Sequence, residues 1–224
     1  MELIRTAIAC LALGASTAHA AGVCGDPCAS ADLACQATLA LCQAKIRAYT
    51  VYMEQLDTGR PKYPLPEIYR DILRPHYPQV DFDKIRFAYS DQQPPDNATT
   101  DCDVIFFNDT RYVSALRDAG PNDRWTWLLH ELEHPAQCAA ANGREGYAKR
   151  WWSELETAVR ESGETIDVFQ STEQLAKQLQ ALYVRVHASM PMEKAADAKA
   201  EVVLAELRRC CIDPDGKPLR PTAP

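Results

Sequence analysis

The spacing of apolar residues changes twice along the chain and predicts two helices, two strands and then a run of helices. Helical spacing covers a cysteine-rich segment at 29–58, and a shorter helix is expected at 66–74. Residues 84–89 and 103–107 fit strands, with a polar loop at 90–101 between them. Further helices are expected at 123–142, 145–161, 172–189 and 191–209. This order predicts an α+β fold that is mainly helical and has a small β-sheet.

The first 20 residues have the features of a secretory signal peptide. Arg5 precedes an apolar run, and the segment ends on the small-x-small sequence Ala18-His19-Ala20. No later stretch reaches the roughly 20 uninterrupted apolar residues of a membrane helix. We therefore expect a secreted or periplasmic protein with a single domain over residues 21–212 and a flexible tail at 213–224.

The cysteines fit an exported protein that is held together by disulfides. Without the signal sequence an even set remains, namely Cys24, Cys28, Cys35, Cys42, Cys102, Cys138, Cys210 and Cys211. We expect a bridge between Cys102 and Cys138, because it would tie the second strand to the helix that carries the histidines described next.

The sequence WLLHELEHPAQC, residues 127–138, places a candidate metal site on one of the late helices. His130 and His134 lie one turn apart, so both imidazoles project from one face, as two ligands of one zinc ion must. Glu131 lies about 100° further round the helix and can reach a water on the open side of the ion. There it would act as general base. The alternative is an exposed helix face with two solvated histidines.

A catalytic zinc site needs a third protein ligand, and two glutamates compete for this role. Glu193 follows Pro191 in the last helix and has Asp197 four residues on, where a carboxylate can orient a ligand histidine. Glu154 lies on an earlier helix and has Ala158 at the equivalent position, whose methyl group can orient nothing. The local pattern favours Glu193 and keeps Glu154 as the alternative.

Together these motifs resemble the thermolysin-like gluzincin branch of the zincin metallopeptidases, in which an HExxH helix is followed by a glutamate on a later helix. The resemblance covers residues from about 103 to 205. The residues that carry it are His130, Glu131, His134, Glu193 and Asp197. It implies a zincin-like domain, one Zn²⁺ held by the two histidines and Glu193, Glu131 as general base, and a peptide or protein substrate.

The family also has a strand along its substrate cleft and a residue that stabilises the oxyanion of the reaction. Residues 103–107 are expected to be that strand, where an extended peptide could pair with its edge, or else an ordinary core strand. Tyr147, Tyr183 and His187 are candidates for the oxyanion, and no motif selects among them.

Three features depart from the family pattern. Pro135 follows the second histidine and lacks the N–H that would bond to the Glu131 carbonyl, so a bend in the helix is expected there. Glu133 places a second carboxylate beside the motif. The interval between the two motifs is longer than in thermolysin, so the helices expected at 145–161 and 172–189 must be accommodated within it.

These observations predict a secreted zinc hydrolase, and the resemblance makes it a peptidase. Two other classes stay open: a secreted binding or inhibitory module on the same fold, and a metal-free helical scaffold held by its cysteines. The net charge of −7 and the lack of a long Lys/Arg cluster argue against nucleic acid or an anionic membrane as the partner.

Overall fold

The computed structural model of the chain describes residues 46, 49–50, 53–163 and 185–219. The chain forms two compact units, one comprising Glu145–Glu193 with the segment up to Tyr52, and the other Met53–Arg144 with Lys194–Pro224. The expected signal peptide and most of the expected helices at 29–58 and 172–189 lie outside the described residues. Their described ends, residues 53–56 and 185–187, are helical.

Besides these helical ends, five helices and four short strands are described in full, which confirms the α+β class. The strands are β1 (Tyr63–Pro64), β2 (Arg86–Tyr89), β3 (Ala98–Asp101) and β4 (Val104–Phe107). The helices are α1 (Glu67–Leu73), α2 (Thr110–Arg117), α3 (Trp125–Ala140), α4 (Arg144–Glu161) and α5 (Pro191–Cys210). Four of these helices and two strands lie where the apolar spacing predicts them. Helix α2 and strands β1 and β3 were not predicted.

The four strands form one mixed sheet in the order β1-β2-β4-β3. Strand β2 is parallel to β4, whereas β3 is antiparallel to β4 through the two-residue turn at Cys102 and Asp103. The expected loop at 90–101 was therefore wrong over its last four residues. The strand sequence ATTD has no apolar alternation, and its place in the sheet depends on pairing with the apolar strand β4.

One hydrophobic core joins the sheet to α3 and to the later part of α5 in the second unit. Phe87 and Ile105 on the strands are fully buried, as are Leu129 and Leu132 on α3 and Val203 on α5. Leu129 and Leu132 belong to the buried stripe of apolar side chains along α3. Burial of this stripe fixes how α3 is rotated about its axis, and therefore which of its side chains remain at the edge of the core.

Two further segments of the second unit differ from expectation. Asp109 begins helix α2, where its carboxylate accepts hydrogen bonds from the backbone N–H groups of Arg111 and Tyr112 at 2.8 and 3.0 Å. Residues 213–219, expected as part of a flexible tail, form a hydrogen-bonded turn. The Gly216 carbonyl accepts from the Trp125 indole at 2.7 Å. Gly216 has a φ of +80°, and an added Cβ would collide with the Asn122 carbonyl oxygen.

The expected bridge between Cys102 and Cys138 is present and ties the β3–β4 turn to helix α3. Cys210 and Cys211 form a second bridge at the end of α5. The other four cysteines lie outside the described residues. Among the helices that the structure describes, none combines the length and the apolar composition needed to cross a membrane.

Candidate metal centre

The two histidines of helix α3 face each other at the edge of its buried stripe. Their Nε2 atoms are 3.3 Å apart. His134 is buried, and His130 keeps 17% of its side chain exposed. The i, i+4 spacing on a regular helix brings the two rings onto one face, as predicted from the sequence.

An oxygen acceptor orients each imidazole from behind. The Nδ1 of His130 lies 2.8 Å from the Asp197 carboxylate, and the Nδ1 of His134 lies 3.0 Å from the side-chain oxygen of Gln137. An ionised carboxylate can only accept, so in a neutral imidazole Nδ1 donates and the lone pair stays on Nε2. Asp197 was predicted for this role. Gln137 was missed, although it stands three residues after His134 on the same helix face.

The separation of the two Nε2 atoms fits a tetrahedral zinc ion. Zn–N bonds of about 2.0–2.1 Å at tetrahedral angles place two ligand nitrogens about 3.3–3.4 Å apart. The observed separation is 3.3 Å. Two lone pairs at this distance repel each other, so either a cation or a shared proton must lie between the two nitrogens, and the orientation of the rings is compatible with a bound zinc ion.

Glu193 completes a group of three candidate ligands. One ligand atom from each of His130, His134 and Glu193 lies within 4.8 Å of the other two. Among the residues that the structure describes, no other group of three His, Cys, Asp or Glu side chains comes this close together. Because α5 is continuous from Pro191 to Cys210, Glu193 lies one turn before Asp197 on the same helix. Glu193 is 2% exposed, and its carboxylate contacts His187 Nε2 at 3.0 Å.

Glu154, the alternative third ligand, lies outside this group and has another role. One carboxylate oxygen pairs with the Arg150 guanidinium, and the other accepts the backbone N–H of Met192, both at 2.7 Å. Met192 is the second residue of α5, so Glu154 satisfies one of the N–H groups that the start of a helix leaves without a helical acceptor.

We expect Glu154→Ala to leave the zinc content of the purified protein unchanged and to lower the free energy of unfolding by about 0.5–2 kcal/mol, as loss of a helix cap does. Metal analysis and urea denaturation measure the two effects. Glu193→Ala is the contrasting variant, because it should lose zinc. Loss of zinc from Glu154→Ala as well would restore Glu154 as a ligand.

Asp197 is expected to act through His130. Asp197→Asn removes the charge that favours the Nδ1–H tautomer of His130, so zinc affinity should fall by about 10–100-fold, the usual cost of removing such an orienting group. Competition with a coloured chelator measures the change. Glu201→Gln, one turn further along α5 and also exposed, is the matched control. Equal losses in the two variants would mean that surface charge, rather than orientation of His130, is responsible.

The proposed base Glu131 is buried and is held by a residue that sequence analysis did not consider. Glu131 is 4% exposed, and its Oε2 accepts a hydrogen bond from the Thr100 hydroxyl at 2.6 Å. Thr100 lies on β3, the strand that was expected to be a loop. No sequence signal marked it, because the contact joins residues 31 positions apart.

Strand β3, and not β4, is the sheet edge nearest the motif. The expectation that residues 103–107 offer an edge to a substrate was wrong, because β4 pairs on one side with β2 and on the other with β3. The alternative interpretation, a core strand, is the one observed, with Ile105 and Phe107 fully buried. Strand β3 lies at the end of the sheet order.

Burial changes the acidity of two groups near helix α3. It raises the pKa of the Tyr77 phenol, and the nearby negative charge of Glu133 raises it further. The phenol therefore stays a neutral donor, and it bonds to the Leu129 carbonyl at 2.9 Å. Burial also raises the pKa of Asp101, against the opposing effect of the Arg144 guanidinium. Glu133 thus lies near Tyr77, whose phenol bonds to the backbone of the helix that carries the histidines.

The candidates for stabilising the oxyanion differ in their burial and in their contacts. Tyr147 is 3% exposed and packs edge-on to the Tyr49 ring at 6.3 Å, as a core residue does. His187 contacts the candidate ligand Glu193 and keeps 33% of its side chain exposed. Tyr183 lies outside the described residues. The contact with Glu193 makes His187 a candidate beside a proposed ligand.

Comparisons with protein-family models, with curated proteins and with solved structures find no match for this chain.

Proposed function

We propose that this protein is an exported zinc-dependent hydrolase, a metallopeptidase with a zincin-like domain in which Glu131 is the general base. The main support is the group formed by His130, His134 and Glu193, and in particular the 3.3 Å separation of two Nε2 atoms whose Nδ1 atoms face oxygen acceptors. Two imidazoles and one carboxylate are a ligand set typical of catalytic zinc, which keeps its fourth position for water or substrate.

Each residue of the proposed site has a separate role. Asp197 and Gln137 hold the imidazoles with Nε2 directed at the ion, and Glu193 supplies the negative charge that balances it. Zinc, when bound, supplies a Lewis acid that acidifies a water and polarises a carbonyl group. Glu131 directly follows His130 on α3, and its carboxylate would accept the proton that the attacking water releases and then pass it to the leaving amine.

A peptide is the substrate class that fits best. Strand β3 ends the sheet and also carries the residue that contacts Glu131. An extended peptide can pair with a strand edge through main-chain hydrogen bonds, whatever its side chains are. Such pairing would bring a backbone carbonyl of the peptide to the side of Glu131.

The test is a zinc titration of the purified mature protein, combined with zinc-edge X-ray absorption and assay of a mixed peptide library. We expect one zinc per chain, two nitrogen and one carboxylate ligand from the protein, a water ligand, and cleavage that a chelator stops and zinc restores. Zinc bound by four protein groups without cleavage would indicate a binding module. Substoichiometric zinc, with the ligand variants as stable as the wild type, would indicate a metal-free scaffold.

A further inference from the structure

The hydroxyl of Thr100 lies between two oxygens of the same residue. It is 2.6 Å from Glu131 Oε2 and 3.3 Å from the Glu131 backbone carbonyl oxygen. A hydroxyl has a single proton to donate, and the shorter contact to a carboxylate is the charge-assisted one. Both residues are buried, Thr100 at 3% exposure and Glu131 at 4%. In such surroundings an ionised carboxylate requires a donor, because its charge has lost the solvation of bulk water.

Pro135 explains why a strand side chain can approach this point of the helix. In a regular helix the N–H of residue 135 would donate to the carbonyl of residue 131, and proline has no N–H to give. Helix α3 nevertheless continues through Pro135 to Ala140. The Glu131 carbonyl therefore lacks its usual helical donor, and the Thr100 hydroxyl lies close to that carbonyl.

The position of Thr100 is itself fixed by three constraints. Its backbone pairs with Ile105 in the sheet. Two residues later, Cys102 is bridged to Cys138 on the same helix that carries Glu131. Threonine is branched at Cβ, which restricts rotation about χ1. The oxygen of Thr100 is thus held in place relative to α3 from both the strand and the disulfide.

We propose that Thr100 is a positioning residue for Glu131, and this inference rests on the proposed function. Its hydroxyl, inserted where Pro135 interrupts the hydrogen bonding of the helix, holds carboxylate oxygen Oε2 and leaves Oε1 to accept the proton. Pro135, the residue that departs from the expected helical pattern, is therefore part of the arrangement that orients the base.

Three variants of the full mature chain test this role. Thr100→Val keeps the shape and branching of the side chain and removes the donor. Thr100→Ser restores the donor. Thr99→Val is the matched control, because Thr99 is the adjacent residue of the same strand and donates to Gln93 Oε1 at 2.8 Å instead. We expect Thr100→Val to lower kcat about 10–100-fold, the range found for groups that orient active-site residues, with KM within about twofold of wild type.

Thr100→Ser should recover kcat to within about threefold of wild type, and Thr99→Val should stay at the wild-type value. Zinc content should be equal in all four proteins. A kcat for Thr100→Val within about twofold of wild type, or an equal loss in Thr99→Val, would overturn the proposal. If the threonine hydroxyls only stabilise the strand, Thr100→Val and Thr99→Val should both lower the melting temperature. Neither variant should then lower kcat while KM stays unchanged.

A second measurement does not depend on turnover. In crystal structures without zinc, the Glu131 carboxylate should occupy one position in the wild type and the same position in Thr100→Ser. In Thr100→Val it should be displaced or divided between two positions. An unchanged single position in Thr100→Val refutes the positioning role even if the enzyme is active. Absence of zinc-dependent cleavage by the wild type would instead refute the proposed function, and the carboxylate position would still decide the role of Thr100.

Discussion

Glu131→Gln should lower kcat for peptide cleavage by about a hundredfold to ten-thousandfold, the contribution that a well-placed general base makes. Glutamine has nearly the same shape as glutamate and can still bond to the Thr100 hydroxyl, which is now 2.6 Å from Oε2. It cannot accept a proton at neutral pH. Zinc content and the melting temperature should therefore remain close to the wild-type values while turnover is lost.

The matched control for this experiment is Glu133→Gln, which removes one negative charge two residues further along the same helix. Its kcat should stay near that of the wild type, because Glu133 lies outside the ligand group. If Glu131→Gln retains full turnover, Glu131 is not the base and the hydrolase mechanism proposed above is wrong. If neither the wild type nor the variant cleaves any peptide while both hold zinc, the protein is a binding module.

His134→Ala is expected to abolish stable zinc binding. Structural zinc sites contribute about 10–16 kcal/mol through four ligands, so each ligand accounts for roughly 3 kcal/mol, or on the order of a hundredfold in affinity. Loss of a buried imidazole also leaves its partner Gln137 without the contact at 3.0 Å. The measurements are zinc stoichiometry after dialysis and the rise in melting temperature on adding zinc, which should disappear in the variant.

His76→Ala is the control, because His76 lies in the same unit and pairs with Glu206 at 2.9 Å, away from the candidate ligands. It should keep one zinc per chain and the zinc-dependent rise in melting temperature. An unchanged zinc content in His134→Ala would contradict the proposed ligand set. Equal loss of zinc in both histidine variants would point to unspecific surface binding.

Local periodicity was enough to locate most of the described elements, and it failed where neighbours in space decide the structure. Helices α3, α4 and α5 bury one face each, so their apolar residues recur at helical spacing and can be recognised. Strand β3 is polar and takes its conformation from pairing with β4. The turn at 213–219 depends on Asn122 and Trp125, nearly a hundred residues earlier, which no local pattern can reveal.

The candidate ligands followed the same rule. His130 and His134 are set by spacing on one helix, and the choice of Glu193 over Glu154 came from Asp197, one turn further along α5. These are local relations, and the structure brings the three candidate ligands together. Glu154 instead accepts the Met192 N–H, a contact over 38 residues that the sequence did not indicate.

The sequence by itself indicated four of the five helices that are described in full, the two histidines with a glutamate between them and the preferred third ligand, and it suggested the pairing of Cys102 with Cys138. Each of these follows from spacing within one element or from a connection between two recognisable elements. Only the tertiary structure decided that β3 rather than β4 forms the sheet edge, and that Thr100 contacts Glu131. The physical reason is that an isolated hydroxyl or a short polar strand has no conformational preference strong enough to indicate its partner, which is fixed only when the core packs around it.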